Sequence, residues 1–422
     1  MTRLAVLLLL FPSAAAQEEK ESAKSKVVVL RGAKLYTVSG APIENAVLVI
    51  ENGKIAAVGA DVKPPDGAEV VDLAGKVVIP GLVDAASRLF VGSTDLLSGG
   101  SAEQDIYDLV DPYDEDHKES LQAGVTTVCL VPYARGAVNG LAVILRPGVD
   151  RGKWILKRQA CLRLSLGTGG SEFSSVVQRY ESYRMLKGVL DGAKQYKETW
   201  EKYKKELAEY EQKKKKWDAQ QKKKPKKDPP KEEKKDEGKK ADEELKEEPK
   251  KPTKPRLDPK NEIFVKALEQ KIPVRIEAHT ADMIERAIEL AKEYGLKAVI
   301  DGGSEASVCA GALAKEKIPV VFGPVFRYDM RRVDYLKHDP EGPALLAKAG
   351  VSVAIASHPD PAAGHHGGGA SRFLLESAAR CAGHGLPRDA ALRAVTLEPA
   401  RTLGSKPVSD PSRRARWRTW SS

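Results

Sequence analysis

The sequence predicts an α/β chain: a TIM-like (β/α)8 barrel that carries a small β domain at its N-terminus. Three features predict it. Residues 26–79 hold short apolar runs cut by Gly, Pro and Asn, with no helical period. Residues 80–404 alternate apolar strand patterns with amphipathic helical ones, an alternation that a right-handed parallel barrel closes most simply. Between the two, Val77-Val78-Ile79-Pro80-Gly81-Leu82-Val83 runs apolar into a polar tip at Asp84 to Arg88. That is how a buried strand looks when it delivers its last residues to a ligand-facing rim.

The elements follow in order. Val27–Leu30 and Ala46–Ile50 read as strands, and Asn52-Gly53 turns the second back into Ile55–Gly59, because both positions of a two-residue hairpin turn need positive φ. Val70–Asp72 and Lys76–Ile79 complete a small antiparallel sheet. Within the barrel, Ala123–Val131, Leu141–Leu145, Ala160–Leu166, Val274–Ala278, Lys297–Ile300, Val320–Phe322 and Val351–Ala356 are the strand patterns. Asp282–Tyr294 places Met283, Ile284, Ala287, Ile288 and Ala291 on one helical face, with Gly295 as its stop. Glu305–Lys317, Gly342–Ala349 and Ser371–His384 continue the alternation as helices.

Residues 196–260 interrupt it with a Lys/Glu-rich insertion. Lys197–Gln221 has the composition of an exposed helix. Lys222–Pro255 has no apolar period and is expected to be disordered, since it cannot bury enough surface to repay the entropy of ordering. The insertion reads either as a solvated excursion between barrel elements or as an electrostatic tether to an anionic surface. Residues 201–260 contain 23 basic and 16 acidic residues, and so carry most of the net charge of +10. With the Arg-rich tail 405–422 also set aside, the remaining body is near neutral, which argues against a nucleic-acid groove.

Residues 1–16 have the pattern of a signal peptide: Arg3, an apolar run from Leu4 to Phe11, then Ala14-Ala15-Ala16. The run is too short to span a bilayer and no later run is long enough. The expectation is an exported protein, periplasmic or extracellular, without a membrane span. Cys129, Cys161, Cys309 and Cys381 each sit among apolar residues and lack metal-knuckle spacing. They read as buried thiols, with a single disulfide as the alternative and no pairing chosen.

Several separate motifs resemble the amidohydrolase family. Pro80-Gly81-Leu82-Val83-Asp84-Ala85-Ala86-Ser87-Arg88 resembles its P-G-[LI]-[VI]-D-x-H-x-H first strand, and Ala123–Val128 its A-G-V-T-T-V second. Ala390–Gly404 resembles its closing A-L-x-A-[AV]-T-x-x-P-A-x-x-L-G helices. The pattern is nearest the imidazolonepropionase-like, metal-dependent hydrolases of non-peptide C–N bonds in cyclic amides. The resemblance implies zinc or another divalent metal, and a composite β-sandwich completed by C-terminal strands. Residues 405–422 show no such strands, so the sandwich is expected to lack them, through a truncated or shifted reading frame or in the genuine protein.

At the metal positions the resemblance fails. Ala86 and Arg88 stand where two histidines belong, Glu277 and Gly302 where the fifth- and sixth-strand histidines belong, and His358 where the eighth-strand aspartate belongs. His279 keeps the family's second fifth-strand histidine. The site therefore reads as degenerate, with no catalytic residue assigned, no cofactor expected, and a small-molecule ligand or a related amidohydrolase subunit as partner. The alternative is an active hydrolase rebuilt around His279, His358 and Asp360, its metal held by His358, Asp360, His365 and His366. Arg88 and Glu277 are complementary changes that would suit an ion pair across the vacated site, or are unrelated drift.

Overall fold

The computed structural model describes residues 27–91, 100–133, 136–149, 152–167, 175–223, 247–326, 338–358 and 368–404. The expected signal peptide and the tail 405–422 lie outside them, and so does any completion of the small sheet by C-terminal strands. The chain divides into two compact units, one built mainly on residues up to Val78 and one from Ile79 onward.

The first unit is a five-stranded sheet of β1 (Val27–Leu35), β2 (Ile43–Glu51), β3 (Lys54–Gly59), β4 (Glu69–Asp72) and β5 (Val77–Val78). Asn52 and Gly53 take φ of 51° and 72° and turn β2 into antiparallel β3, as the sequence predicts. The sheet is mixed rather than antiparallel: residues 60–68 carry the chain to the far edge of β1, where β4 and then β5 pair parallel to it. The two parallel pieces are separated at Gly32, where φ is +83° and a Cβ would lie 3.2 Å from the Ala74 backbone nitrogen.

The second unit begins with β6 (Leu82–Ser87), a 3₁₀ turn at Ile106–Leu109, α1 (Asp116–Gln122) and β7 (Val125–Leu130). Four short strands follow: β8 (Val138–Leu141), β9 (Val143–Leu145), β10 (Ile155–Lys157) and β11 (Leu162–Ser165). The 48-residue helix α2 (Val176–Lys223) and α3 (Pro259–Leu268) separate these from a regular alternation. That alternation runs β12 (Val274–Ala278), α4 (Ala281–Tyr294), β13 (Ala298–Gly302), α5 (Ala310–Lys315), β14 (Val320–Phe322), α6 (Gly342–Lys348) and β15 (Val353–Ile355). It closes with α7 (Leu374–Gly383), α8 (Arg388–Ala394) and α9 (Leu397–Thr402).

The strands form two sheets, β10-β9-β7-β6 and β15-β14-β13-β12-β11-β8. β6 and β7 are parallel, as are β11 to β15. β8 and β9 run antiparallel to their neighbours, because residues 131–137 are too few for a crossover and can only turn the chain back. At the outer edges of the two sheets, the His358 amide just past β15 donates to the Ala86 carbonyl of β6 at 3.0 Å.

On α4, Met283, Ile284, Ala287, Ile288 and Ala291 are buried and Gly295 caps the helix at φ 63°, as its period predicts. The charged insertion differs from its reading. α2 starts at Val176, well before it, and buries Leu186, Leu190 and Ala193. Its Tyr183 and Lys187 side chains reach Glu289 and Glu293 of α4. Of the stretch expected to be disordered, residues 224–246 lie outside the described residues. Residues from Glu247 onward run back along α2, with Glu248 paired to Lys214 and the Asp258 amide 3.4 Å from the Tyr196 hydroxyl.

Candidate functional site

Parallel strands bring their C-terminal ends to one side, so the tips of β6, β12, β13 and β15 converge. Side chains two apart on a strand share a face. Arg275, Glu277 and, just past the strand end, His279 therefore line up along β12, with Arg163 beside Arg275 in the register of β11 and Asp301 beside Glu277 in that of β13. Every one of these side chains is at most 4% exposed.

The centre of the cluster is Asp301. Arg163 Nε lies 3.1 Å from Oδ2, Arg275 Nη2 bonds Oδ1, and His358 Nε2 lies 2.8 Å from Oδ1. Burial opposes a charge here, but Arg275, His358 and Arg163 outweigh it and hold the Asp301 carboxyl well below the usual carboxylate range. Arg163 also donates to the Pro132 carbonyl at 2.9 Å, reaches Glu277 Oε2 at 3.4 Å, and lies over the Tyr133 ring with 3.9 Å from guanidinium carbon to centroid. Arg275 Nη1 donates to the Ala85 carbonyl and lies 3.9 Å from Cys129 Sγ. Tyr133 completes the ring: its hydroxyl is 3.3 Å from His358 Nδ1, and burial raises its pKa to about 12.

The expected positions fall in and around this lattice. Ala86 is fully buried, and its carbonyl takes the His358 amide and the Ser357 hydroxyl. Arg88 is buried with its guanidinium 5.5 Å from the Tyr133 centroid, and Glu277 meets the Arg163 guanidinium at 3.4 Å. His279 holds Ser304 Oγ at 3.0 Å through Nδ1 and has Nε2 3.7 Å from Glu277. Its ring fills the space of the missing side chain at Gly302, where a Cβ would lie 2.2 Å from His279 Cε1. His358 takes φ of 39° at the end of β15. Asp360, His365 and His366 lie outside the described residues.

A second carboxylate, Asp84 on β6, ties the strand tips together. It accepts from the Ser357 and Ala86 amides at 3.1 and 3.3 Å and from the Ser371 hydroxyl at 2.7 Å. Burial nonetheless raises its pKa, against those hydrogen bonds. Cys129 and Cys161 lie side by side under the lattice; all four cysteines are free and buried.

The described residues do not fit a divalent metal. Ala86 and Gly302 offer no donor atom, and among the described residues no group of three His, Cys, Asp or Glu side chains is arranged to hold an ion. Asp301 and Glu277 already face guanidinium groups. A cation about 4 Å from a dication is repelled by about 8 kcal/mol at an effective dielectric near 20.

Arg163, Arg275, Asp301, Tyr133 and Asp84 were not singled out by the sequence reading. The signal was an arginine inside an otherwise apolar strand, in Cys161-Leu162-Arg163-Leu164 and Pro273-Val274-Arg275-Ile276. A guanidinium buried at such a place must find carboxylates.

No family model matches the chain. A dihydroorotase of Trichlorobacter lovleyi is 25% identical over 120 residues, which are 28% of this chain and 24% of that protein, so the match spans about a quarter of the curated relative. The crystal structure of an amidohydrolase from Thermotoga maritima MSB8 superposes with a TM-score of 0.69 at 25% identity, covering 90% of this chain and 89% of that one. The A. niger ochratoxinase structure superposes at a TM-score of 0.46 and 15% identity over 90% and 85% of the two chains. The strand-tip motifs and the fold shared with the Thermotoga protein place this chain in the amidohydrolase superfamily.

Proposed function

We propose that this chain is a non-catalytic amidohydrolase homologue. In this reading an arginine–carboxylate lattice stands where the active relatives hold their metal, and the scaffold is retained to bind a small molecule or a related amidohydrolase subunit. The observation that supports it is the double engagement of Asp301 by Arg163 and Arg275 at the converging strand tips. In the ancestral chemistry a metal lowers the pKa of a bound water and polarises the amide carbonyl of a C–N substrate. Here two guanidiniums supply positive charge to Asp301 but carry no exchangeable water. The two sheets, meeting at β15 and β6, are read as a (β/α)8 barrel with its third strand reversed, and the N-terminal sheet as the remnant of a composite β-sandwich. Export to the periplasm or the exterior belongs to the same proposal and rests on the pattern of residues 1–16.

The test is metal analysis of the purified protein together with zinc titration by calorimetry and a screen of cyclic amides. The expected result is substoichiometric metal, no saturable zinc heat and no hydrolysis. Stoichiometric zinc that disappears in His358→Ala would instead support a hydrolase rebuilt around His279, His358 and Asp360, and would overturn the proposal. Mass spectrometry of the N-terminus of protein recovered from the culture medium or periplasm tests export, with cleavage after Ala16 expected.

A further inference from the structure

The outer half of α2 carries a pattern that the site does not use. Leu186, Ala193, Trp200, Leu207 and Lys214 recur every seven residues, and so do Val189, Tyr196, Tyr203, Tyr210 and Trp217, three positions later. This is a strict heptad seam along one helix face. Its first turns are buried on the body of the second unit through Leu186, Leu190 and Ala193. Further out, Trp200, Tyr203, Leu207, Tyr210, Lys214 and Trp217 are each half-buried, while the residues between them are exposed. Trp200 packs edge-on against Tyr196 and Tyr203, with centroids 6.2 and 5.8 Å apart.

What lies against the seam is the returning chain. In Glu248-Pro249-Lys250-Lys251-Pro252-Thr253-Lys254-Pro255, every third residue is proline, and Pro249, Pro252 and Pro255 are half-buried while the residues flanking them are exposed. Proline fixes its own φ and holds the preceding residue in the extended or polyproline region, so most of this stretch is pre-set to polyproline II. Such a strand has three residues per turn, which puts the three prolines on one side. The two repeats nearly match: a heptad of helix rises about 10.5 Å and three polyproline residues about 9.3 Å. Both ends are pinned, by Glu248 with Lys214 and by the Asp258 amide with the Tyr196 hydroxyl. From Tyr196 to Lys214 the helix rises about 27 Å, and the strand between the pins spans about 31 Å.

We infer that the aromatic seam of α2 is a polyproline-II binding groove, occupied in cis by the chain's own Pro249–Pro255 segment. The antiparallel register set by the two pins seats Pro249 between Tyr210 and Trp217, Pro252 between Tyr203 and Tyr210, and Pro255 between Tyr196 and Tyr203. Aromatic side chains suit proline because its ring is compact and apolar and the polyproline strand has little entropy left to lose. Lys250, Lys251, Lys254 and Arg256 point their charge away from the groove and stay exposed.

The full-length protein tests this with a fluorescently labelled peptide of residues 247–258. In the wild type the tethered segment competes at an effective concentration of roughly millimolar, so the added peptide binds weakly. Replacing Pro249→Gly, Pro252→Gly and Pro255→Gly together is expected to tighten peptide binding by about tenfold or more, as the tethered competitor is lost. Adding Tyr203→Ala and Tyr210→Ala to that variant is expected to abolish it. Thermal unfolding of the body should be unchanged throughout, because the buried first turns of α2 are untouched. Peptide affinity equal in the wild type and the proline variant, or affinity that survives loss of the two tyrosines, overturns the inference. A wild-type dimer by light scattering that the proline variant converts to monomer places the strand in a second copy and overturns the cis assignment.

Discussion

Asp84 and Asp301 sit on the same rim, are both fully buried, and are pushed in opposite directions. Asp84 is surrounded by neutral donors, so burial dominates and its folded-state pKa lies above the unfolded value. The native state then holds a proton that the unfolded chain has released, and stability falls as pH rises from the unfolded pKa through the folded one. Asp301 is surrounded by guanidiniums, so its folded pKa lies below the unfolded value. Its contribution is present above the unfolded pKa and is lost as pH falls through the folded one. Asp84→Asn keeps an acceptor for the two amides and gives a donor to Ser371, and should leave stability at pH 7 unchanged or raised. Asp301→Asn strands two buried cations and should cost about 3–5 kcal/mol. Urea midpoints of both variants between pH 5 and 8 check this, and equal losses would show that the two environments do not differ as the geometry implies. Asp84 and Asp301 are visible in the sequence only as acids at strand tips. Which one faces arginine depends on which strands become neighbours, and periodicity carries no information about that.

At the scale of elements, strand existence was legible and strand direction was not. Apolar runs marked Leu141–Leu145 and Ala160–Leu166, but nothing in the runs says that Val138–Leu145 is reversed; the short link 131–137 was the available clue. The insertion shows the same limit in another form. Low apolar content sets the expectation of disorder for Lys222–Pro255, of which residues 224–246 lie outside the described residues, while the prolines at 249, 252 and 255 fall in the part that runs back along α2. The tips of β12 and β13 give a sharper case. Ala278 pairs with Gly302, and the His279 ring occupies the space beside it. Gly302 also takes φ of +97°, which favours glycine. Restoring the family's residue with Gly302→His should therefore destabilise the protein by about 2 kcal/mol or more without creating zinc affinity. Adding His279→Ala should recover part of the loss by removing the clash. Thermal melts with and without zinc distinguish the outcomes, and a zinc-dependent rise in Tm for Gly302→His alone would show that the imidazole at 279 yields.

Across the whole molecule, the lattice joins β11, β12, β13 and β15 with the loop after β7, so its members cannot be assigned separate energies. It is also imperfectly satisfied, since Arg275 Nε makes no hydrogen bond in the described structure. Desolvating several charges opposes the attraction among them, and a buried ion network is often no more stable than well-packed apolar residues of similar volume. Losing one member is a different matter, because the partners are left charged, buried and unmatched. The expectation is therefore non-additive. Arg275→Met alone leaves Asp301 short of a cation and should cost about 3 kcal/mol or more. Replacing the set together, with Arg163→Met, Arg275→Met, Asp301→Leu and Glu277→Leu, should cost less than that single change, because no unmatched charge remains among the four. Denaturant midpoints at matched slope measure both. If the fourfold variant loses as much as the sum of its single changes, the lattice contributes net stability, and its arginines hold the strand tips together.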